Sequence, residues 1–273
     1  VRSRRQRQMC IRDSSSTAHL KVLPYLFGWD DLGVSFSASI QLGSAVAIIY
    51  YFRNQISLII NSFFSSFNPS KGFKDENSRL FLYIFVASIP ILVFGLLIKL
   101  YWPNYSDSNL RGLFSIAITS IVMALLLALS EIYGKRNKLF VDINLNDVIK
   151  LGLAQSLALF PGVSRSGITL TSALFSGIER KTAARLSFLV GIPAVSISGL
   201  VELFSLFRVL SVIDIIPIII GIISSFFSSI FAIDLFLKFL SKNNTLVFVY
   251  YRLAFGIFIS VSYTHLRAHE TDS

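Results

Sequence analysis

Apolar residues run in long blocks along this chain, at about 34 to 52, 80 to 100, 112 to 133, 182 to 205, 213 to 236 and 246 to 261. Most of these blocks reach the roughly 20 residues that a helix needs to cross a ~30 Å hydrocarbon core. The last is shorter and stops where polar residues begin. The pattern predicts an all-α, polytopic integral membrane protein with about six transmembrane helices. Composition agrees: 53% of the 273 residues are hydrophobic, 25 are Phe, and only 15% are charged. A water-soluble domain carries about 25% charged residues.

The charged residues sit between the blocks and orient them. Arg53, Lys71, Lys74 and Arg79 follow the first block, Lys135, Arg136 and Lys138 the third, and Lys238 and Lys242 the fifth. The positive-inside rule places these loops in the cytoplasm. The loop 101 to 111 holds only Asp107 and Arg111 and suits the outside. The formal charge of +10 therefore describes loops facing anionic headgroups. It is not a nucleic-acid surface, because neither a basic helix nor an aromatic platform accompanies it.

Parity of the spans then makes a sharper statement. The turn at 178 to 181, with Arg180 and Lys181, must be cytoplasmic, and so must 134 to 147. The apolar stretch between them, about 148 to 176, has to enter and leave on one side. Each of its halves has about 13 residues, VIKLGLAQSLALF and SGITLTSALFSG, with Pro161-Gly162 between them. As helix, each covers roughly 20 Å, too little to span. Proline and glycine break the helix where the chain turns. This predicts a re-entrant helical hairpin. Counting back, residues before Val34 would be the remnant of a first hairpin entering from outside. Each hairpin would precede three spans, an inverted-repeat arrangement.

The chain ends stand apart. Residues 1–14 carry five Arg, and 262–273 bring His, Arg, Glu and Asp after an apolar run. Both are read as non-native flanks around a single membrane domain at 15–261, whose N-terminal hairpin is truncated. SSSTAHLKVL supplies no apolar core for a signal peptide. Six of the 25 basic and three of the 15 acidic residues lie in the flanks, leaving a net charge of +7. Cys10 is the one cysteine, so an intrachain disulfide and a cysteine metal cluster are excluded.

The hairpin tip reads Pro161-Gly162-Val163-Ser164-Arg165-Ser166-Gly167-Ile168-Thr169. An arginine at membrane depth is expensive and marks a functional site, and its planar donor fork matches phosphate oxygens. Ser164, Ser166 and Thr169 add hydroxyls. Gly162 and Gly167 let the backbone approach, and a helix restarting near Ser166 would aim its amides at an anion. The competing reading is an arginine that snorkels to the headgroups from a shallow turn. Flanking serines and glycines at the apex of a same-side hairpin favour a phosphate cradle. His19, beside Ser16 and Thr17, is a second candidate, able to act as nucleophile or general acid/base. Of the acids, Glu131 ends a span near Lys135, and Glu179 sits in the basic turn as a solvated charge.

Two segments carry a resemblance to a known family. SSTAHL resembles a serine-serine-threonine-small-histidine motif, with Ala18 where glycine is common, and LAQSLALFPGVSRSGIT resembles a second signature almost throughout. Gln41 within IQLGS, and Phe188, Ile192 and Pro193, continue the likeness over about 15 to 261. Both motifs are those of the bacterial undecaprenyl-diphosphatases. The resemblance implies hydrolysis of undecaprenyl diphosphate in the bacterial cytoplasmic (inner) membrane, recycling the lipid carrier of cell-wall synthesis and conferring bacitracin resistance.

The same resemblance implies that Arg165 clamps the diphosphate, with Ser164, Ser166, Gly162, Gly167, Thr169, Thr17 and Gln41 around it. His19 and Ser16 would face it, either of them attacking or moving protons. A divalent cation, Mg2+ or Ca2+, would neutralise phosphate charge. A polyprenyl diphosphate, membrane lipids and a second copy of the chain are the expected partners. One departure matters. The family's two glutamates, four residues apart, would fall near Gln6 and Cys10, so an inactive chain is expected. The rival reading is a polyprenyl-phosphate or anion transporter, which fits inverted repeats and an intramembrane arginine without hydrolysis.

Overall fold

A computed structural model of the chain describes residues 33–67, 75–102, 105, 112–207 and 215–271. Among the described residues the fold is helical: α1 (Gly33–Tyr51), α2 (Arg53–Ser65), α3 (Glu76–Tyr101), α4 (Leu113–Tyr133), α5 (Leu145–Ser156), α6 (Arg165–Phe175), α7 (Arg180–Phe207), α8 (Ile215–Leu240) and α9 (Leu246–Thr271). Six of these coincide with the six apolar blocks, and α5 and α6 form the hairpin. Among the described residues, four helices are long and apolar enough to cross a membrane, within α3, α4, α7 and α8, while 40–51 and 246–261 are shorter apolar helices.

Two segments differ from the sequence reading. Residues 53–65, expected as cytoplasmic loop, form α2. At 13 residues it is too short to span, and its inward positions recur with helical spacing. Ile59 is buried, and the Phe63 ring stacks on Phe81 of α3 at 4.0 Å. Helix α9 continues to Thr271 although the apolar block ends at 261. Its last ten residues contain neither proline nor glycine to stop it.

The apolar side chains lie largely on the outside. On α8, Ile216, Ile219, Ile220, Ile223, Phe227, Phe231 and Leu235 are all exposed. Their three-to-four-residue spacing makes one continuous apolar face, which in water would be an aggregation surface and in hydrocarbon costs nothing. Polar and small residues instead mediate helix contacts. Ser44 of α1 pairs its hydroxyl with Ser225 at 2.9 Å and Ser229 at 2.8 Å, both on α8. Gly43 lies directly against the Ile222 carbonyl, the close approach that small residues permit between membrane helices.

The contacts also carry the predicted internal symmetry. Helix α1 packs on α7 and α8, α3 on α5 and α7, and α4 on α6 and α9. Exchanging the halves sends α1 to α7, α3 to α8 and α4 to α9. The α1–α8 contact then becomes α7–α3, while α1–α7 and α4–α9 map onto themselves. All four are present.

The same-side hairpin is tied at its base. The amides of Asn137 and Lys138 donate to Gly177 O at 2.9 and 3.0 Å, and Glu179 N donates to Lys138 O at 2.9 Å. The loop before α5 and the turn after α6 thus lie side by side. Glu131, at the end of α4, joins them further. Its carboxylate is only 6% exposed and accepts from Arg136, from Arg180 at the start of α7, and from Thr245 N and Oγ1 just before α9. The sequence pointed to Lys135 as its partner; the flanking arginines hold it instead. Glu179 is likewise no free surface charge. Its carboxylate accepts from Thr182 Oγ1 at 2.7 Å and from Thr182 N at 3.2 Å, closing the first turn of α7. Asn144 and Asp147 form a capping box at α5, and Lys138 Nζ reaches both Asp147 oxygens at 2.9 and 3.0 Å.

Glu131→Gln should lower stability by about 1–3 kcal/mol, below the ~3–5 kcal/mol of a fully buried broken pair. The discount arises because Arg136 and Arg180 remain 29% and 31% exposed and can recover water. Thermal unfolding in detergent measures it, and an unchanged midpoint would refute the tie.

Candidate functional site

The hairpin tip is built by stopping one helix and restarting another. Helix α5 tightens into a 3-10 turn at Leu157–Leu159, and Phe160 takes an extended conformation. Pro161 cannot continue the ladder. Gly162 then turns the chain with φ +88°, a region costly for any residue with a Cβ. A Cβ there would also stand 3.1 Å from the Ile116 carbonyl of α4. Ser164 caps α6 by accepting from Gly167 N at 3.2 Å, so the helix begins at Arg165, one residue before the expected start.

Breaking a helix inside a membrane frees carbonyls that water cannot reach. Two side chains from other elements take them. Tyr105, from the loop between α3 and α4, donates its hydroxyl to Leu159 O at 2.9 Å. Arg252 of α9 donates through Nη2 to Gly162 O at 3.2 Å. Both side chains are buried, Arg252 at 9% exposure.

Arg165 lies on the same tip at 7% exposure, with Nε and Nη1 buried. A Cβ on Gly191 of α7 would sit 4.0 Å from its Cδ, so α7 forms one wall. The Arg252 guanidinium closes another side, its Nη1 being 2.9 Å from the point where a Cβ on Gly167 would stand. Gly167 thus leaves room for the Arg252 guanidinium. Arg165 of α6 and Arg252 of α9 both reach this tip, where the dipole of α6 adds further positive potential.

The hydroxyls divide into two groups. Ser164 Oγ lies 3.4 Å from Ser166 Oγ, and Ser166 is exposed at the tip. Thr169, which the sequence sets among the ligand's donors, turns to its own helix. It is fully buried, and its hydroxyl donates back to Arg165 O at 2.8 Å. Gln41 is half-buried on α1, next to Leu42, whose side chain fills the space over Gly199 of α7. That glycine is eight residues, about 12 Å of helix, beyond Gly191. His19, Ser16 and Thr17, and the flank 1–14, lie outside the described residues.

Arg252 escaped the sequence reading. Its signal was a single basic residue within the apolar run Val247 to Phe258, VFVYYRLAFGIF, which is costly at membrane depth. The donors assembled at the tip are cations and hydroxyls, a set for binding an anion. They do not fit a divalent cation, and no group of three or more His, Cys, Asp or Glu suited to one occurs among the described residues.

Fold and tip together define a multi-pass helical membrane protein with a buried, doubly cationic re-entrant hairpin. Residues 14–258 match the family described as bacitracin resistance protein BacA, and the chain belongs to that family. It is 98% identical over 245 residues to a protein of Prochlorococcus marinus (strain NATL1A) named undecaprenyl-diphosphatase, covering 90% of this chain and 88% of the relative. Proteins of the same name from Prochlorococcus marinus (strain MIT 9313) and Trichormus variabilis (strain ATCC 29413 / PCC 7937) are each 49% identical. They too cover 90% of this chain, and 82% and 77% of their own lengths.

The tip geometry predicts the effect of filling its turn. Gly162→Ala should cost about 1–3 kcal/mol, combining a left-handed backbone with the contact at Ile116 O. Gly162→Ser should cost a similar amount. Detergent unfolding midpoints report both, and a neutral Gly162→Ala would contradict this account of the turn.

Proposed function

We propose that this chain hydrolyses undecaprenyl diphosphate to undecaprenyl phosphate and orthophosphate at the hairpin tip. The observation that carries the reading is a re-entrant tip that bears the buried Arg165 and holds Arg252 on its Gly162 carbonyl, inside a membrane protein of this family. A diphosphate is the polar group that such a pair of donor forks suits, and the apolar outer surface leaves its prenyl chain in hydrocarbon. The relatives' shared name points to the same substrate.

In the reaction, the bond from the terminal phosphorus to the bridging oxygen breaks, and the elements of one water end on the two phosphate products. The leaving oxygen stays on the lipid phosphate. Charge builds on the equatorial and bridging oxygens as that bond opens. Arg165 and Arg252 neutralise it, and Ser164 and Ser166 orient the phosphate by hydrogen bonds. Each preorganised donor of this kind contributes about 10²–10³-fold. His19 and Ser16 are the candidates for attack and proton transfer. A divalent cation would lower the phosphate charge further, with its protein ligands supplied from outside the tip.

The hairpin reaches far from its cytoplasmic base. Twelve residues of α5 and three of the 3-10 turn rise by at most ~24 Å, against a ~30 Å core. Tyr105, from the loop assigned to the outside, touches the top of that turn. We therefore place the reaction at the outer face of a bacterial cytoplasmic membrane.

Phosphate release from a polyprenyl diphosphate in detergent tests the reading, with and without divalent metal. The chain as it stands should release little, because Gln6 and Cys10 stand where the resemblance puts two carboxylates. Glutamates restored there should bring activity. Arg165→Ala in the restored chain should then lose at least 10²-fold, and Arg252→Lys should lose more than a simple exchange of charge predicts, because the fork is gone. No release from any folded version would favour a carrier over a phosphatase.

A further inference from the structure

We propose that the cleft between the two arms of the hairpin holds the headgroup of an anionic phospholipid from the cytoplasmic leaflet. The cleft is distinct from the tip. It has a volume of about 250 Å³ and lies between α4, α5 and α6, lined by Leu126, Lys150, Ala154, Ile168, Phe175 and the hydroxyl residues Thr171, Ser172 and Ser176. At roughly 30 Å³ per water this is room for about eight waters, a space closer to a phosphoglycerol group than to a lone phosphate ion.

Charge marks one end of it. Lys150 stands five residues into α5, about 8 Å along the helix from its cytoplasmic start, which is headgroup depth. Ser176 lies at the same end of α6, and the next residue, Gly177, neighbours Lys135: a Cβ there would be 3.9 Å from the Lys135 Cβ. The carboxylates nearby are already engaged. Asp147 serves Lys138 and the Asn144 amide, and Glu131 serves Arg136, Arg180 and Thr245. Among the described residues, neither Lys135 nor Lys150 has an ion pair. Lys150 thus lines the cleft and Lys135 stands beside the turn that follows Ser176, both without an ion pair among the described residues.

The remaining lining decides what kind of anion fits. Ser172 and Ser176 are half-buried hydroxyls able to donate to phosphate oxygens, whereas Thr171 spends its proton on Gly167 O at 2.8 Å. The other walls are the apolar side chains of Leu126, Ala154, Ile168 and Phe175. A free phosphate gains nothing from them. A lipid places its phosphate by the lysines, its first methylenes against these walls, and its chains along the exposed Leu129 and Leu153 in the bilayer.

The test is the thermal midpoint of the purified chain in neutral detergent with phosphatidylglycerol, phosphatidylcholine or inorganic phosphate added. Phosphatidylglycerol should raise it by about 5 °C, and the other two should not. Lys135→Ala with Lys150→Ala should remove at least half of the shift. Both lysines are exposed, so this variant should keep its lipid-free midpoint. Ser172→Leu fills the cleft while keeping both charges and should do the same. A shift undiminished in both variants would overturn the proposal. An equal shift with inorganic phosphate would replace the lipid by a free-anion site.

Discussion

The architecture hangs on one buried carboxylate. Glu131 ends α4, yet its oxygens bind the start of α7 through Arg180 and the start of α9 through Thr245. A hairpin that enters and leaves by one face needs its neighbours' ends gathered at that face, and a single acid with three partners does this. Burying a charge costs several kcal/mol before any partner is counted. Here the acid is nearly inaccessible while both arginines keep contact with water, so the desolvation falls mainly on one ion. What the arrangement contributes is register: α4, α7 and α9 cannot slide along the membrane normal without stranding that carboxylate.

With the base fixed, the tip becomes a problem of unmet hydrogen bonds. Leu159 O and Gly162 O are carbonyls that an unbroken helix would have used, and leaving them unpaired at membrane depth would be costly. Tyr105 and Arg252 supply the donors from opposite sides of the hairpin. The second of these does two things at once. It satisfies the turn and brings a second guanidinium to the hairpin that bears Arg165, where lysine would offer a point charge in place of the planar fork. The chemistry of the site therefore grows out of the same step that makes a broken helix tolerable in a membrane.

How much of this was legible follows from which forces act locally. The spans could be read because a bilayer sorts residues by length and polarity alone, and the hairpin because parity of basic loops leaves no other path. Gly162 and Arg165 announced themselves by type and spacing. Thr169 did not, because whether a hydroxyl faces a ligand or its own helix depends on a rotamer; here it bonds Arg165 O. Glu179 looked solvated for the same reason, its capping role depending on the turn that brings it to Thr182. Arg252 was visible as a lone charge in an apolar run, but only packing of α9 on α4 shows that it meets Gly162, ninety residues away in sequence.

The described half of the site also separates two tasks that a phosphatase normally entwines. Everything that recognises the anion at the tip is drawn from residues 162 to 167 and from Arg252, held by Tyr105, α4 and α7. None of it is basic enough to activate water, since guanidiniums remain protonated and serine hydroxyls need a partner to lose their proton. On the proposed reading, bond cleavage draws on the segment around Ser16 and His19, and anion recognition on the integrity of the hairpin. Damage to that segment alone would then leave a membrane protein that still holds its lipid phosphate and does not cut it.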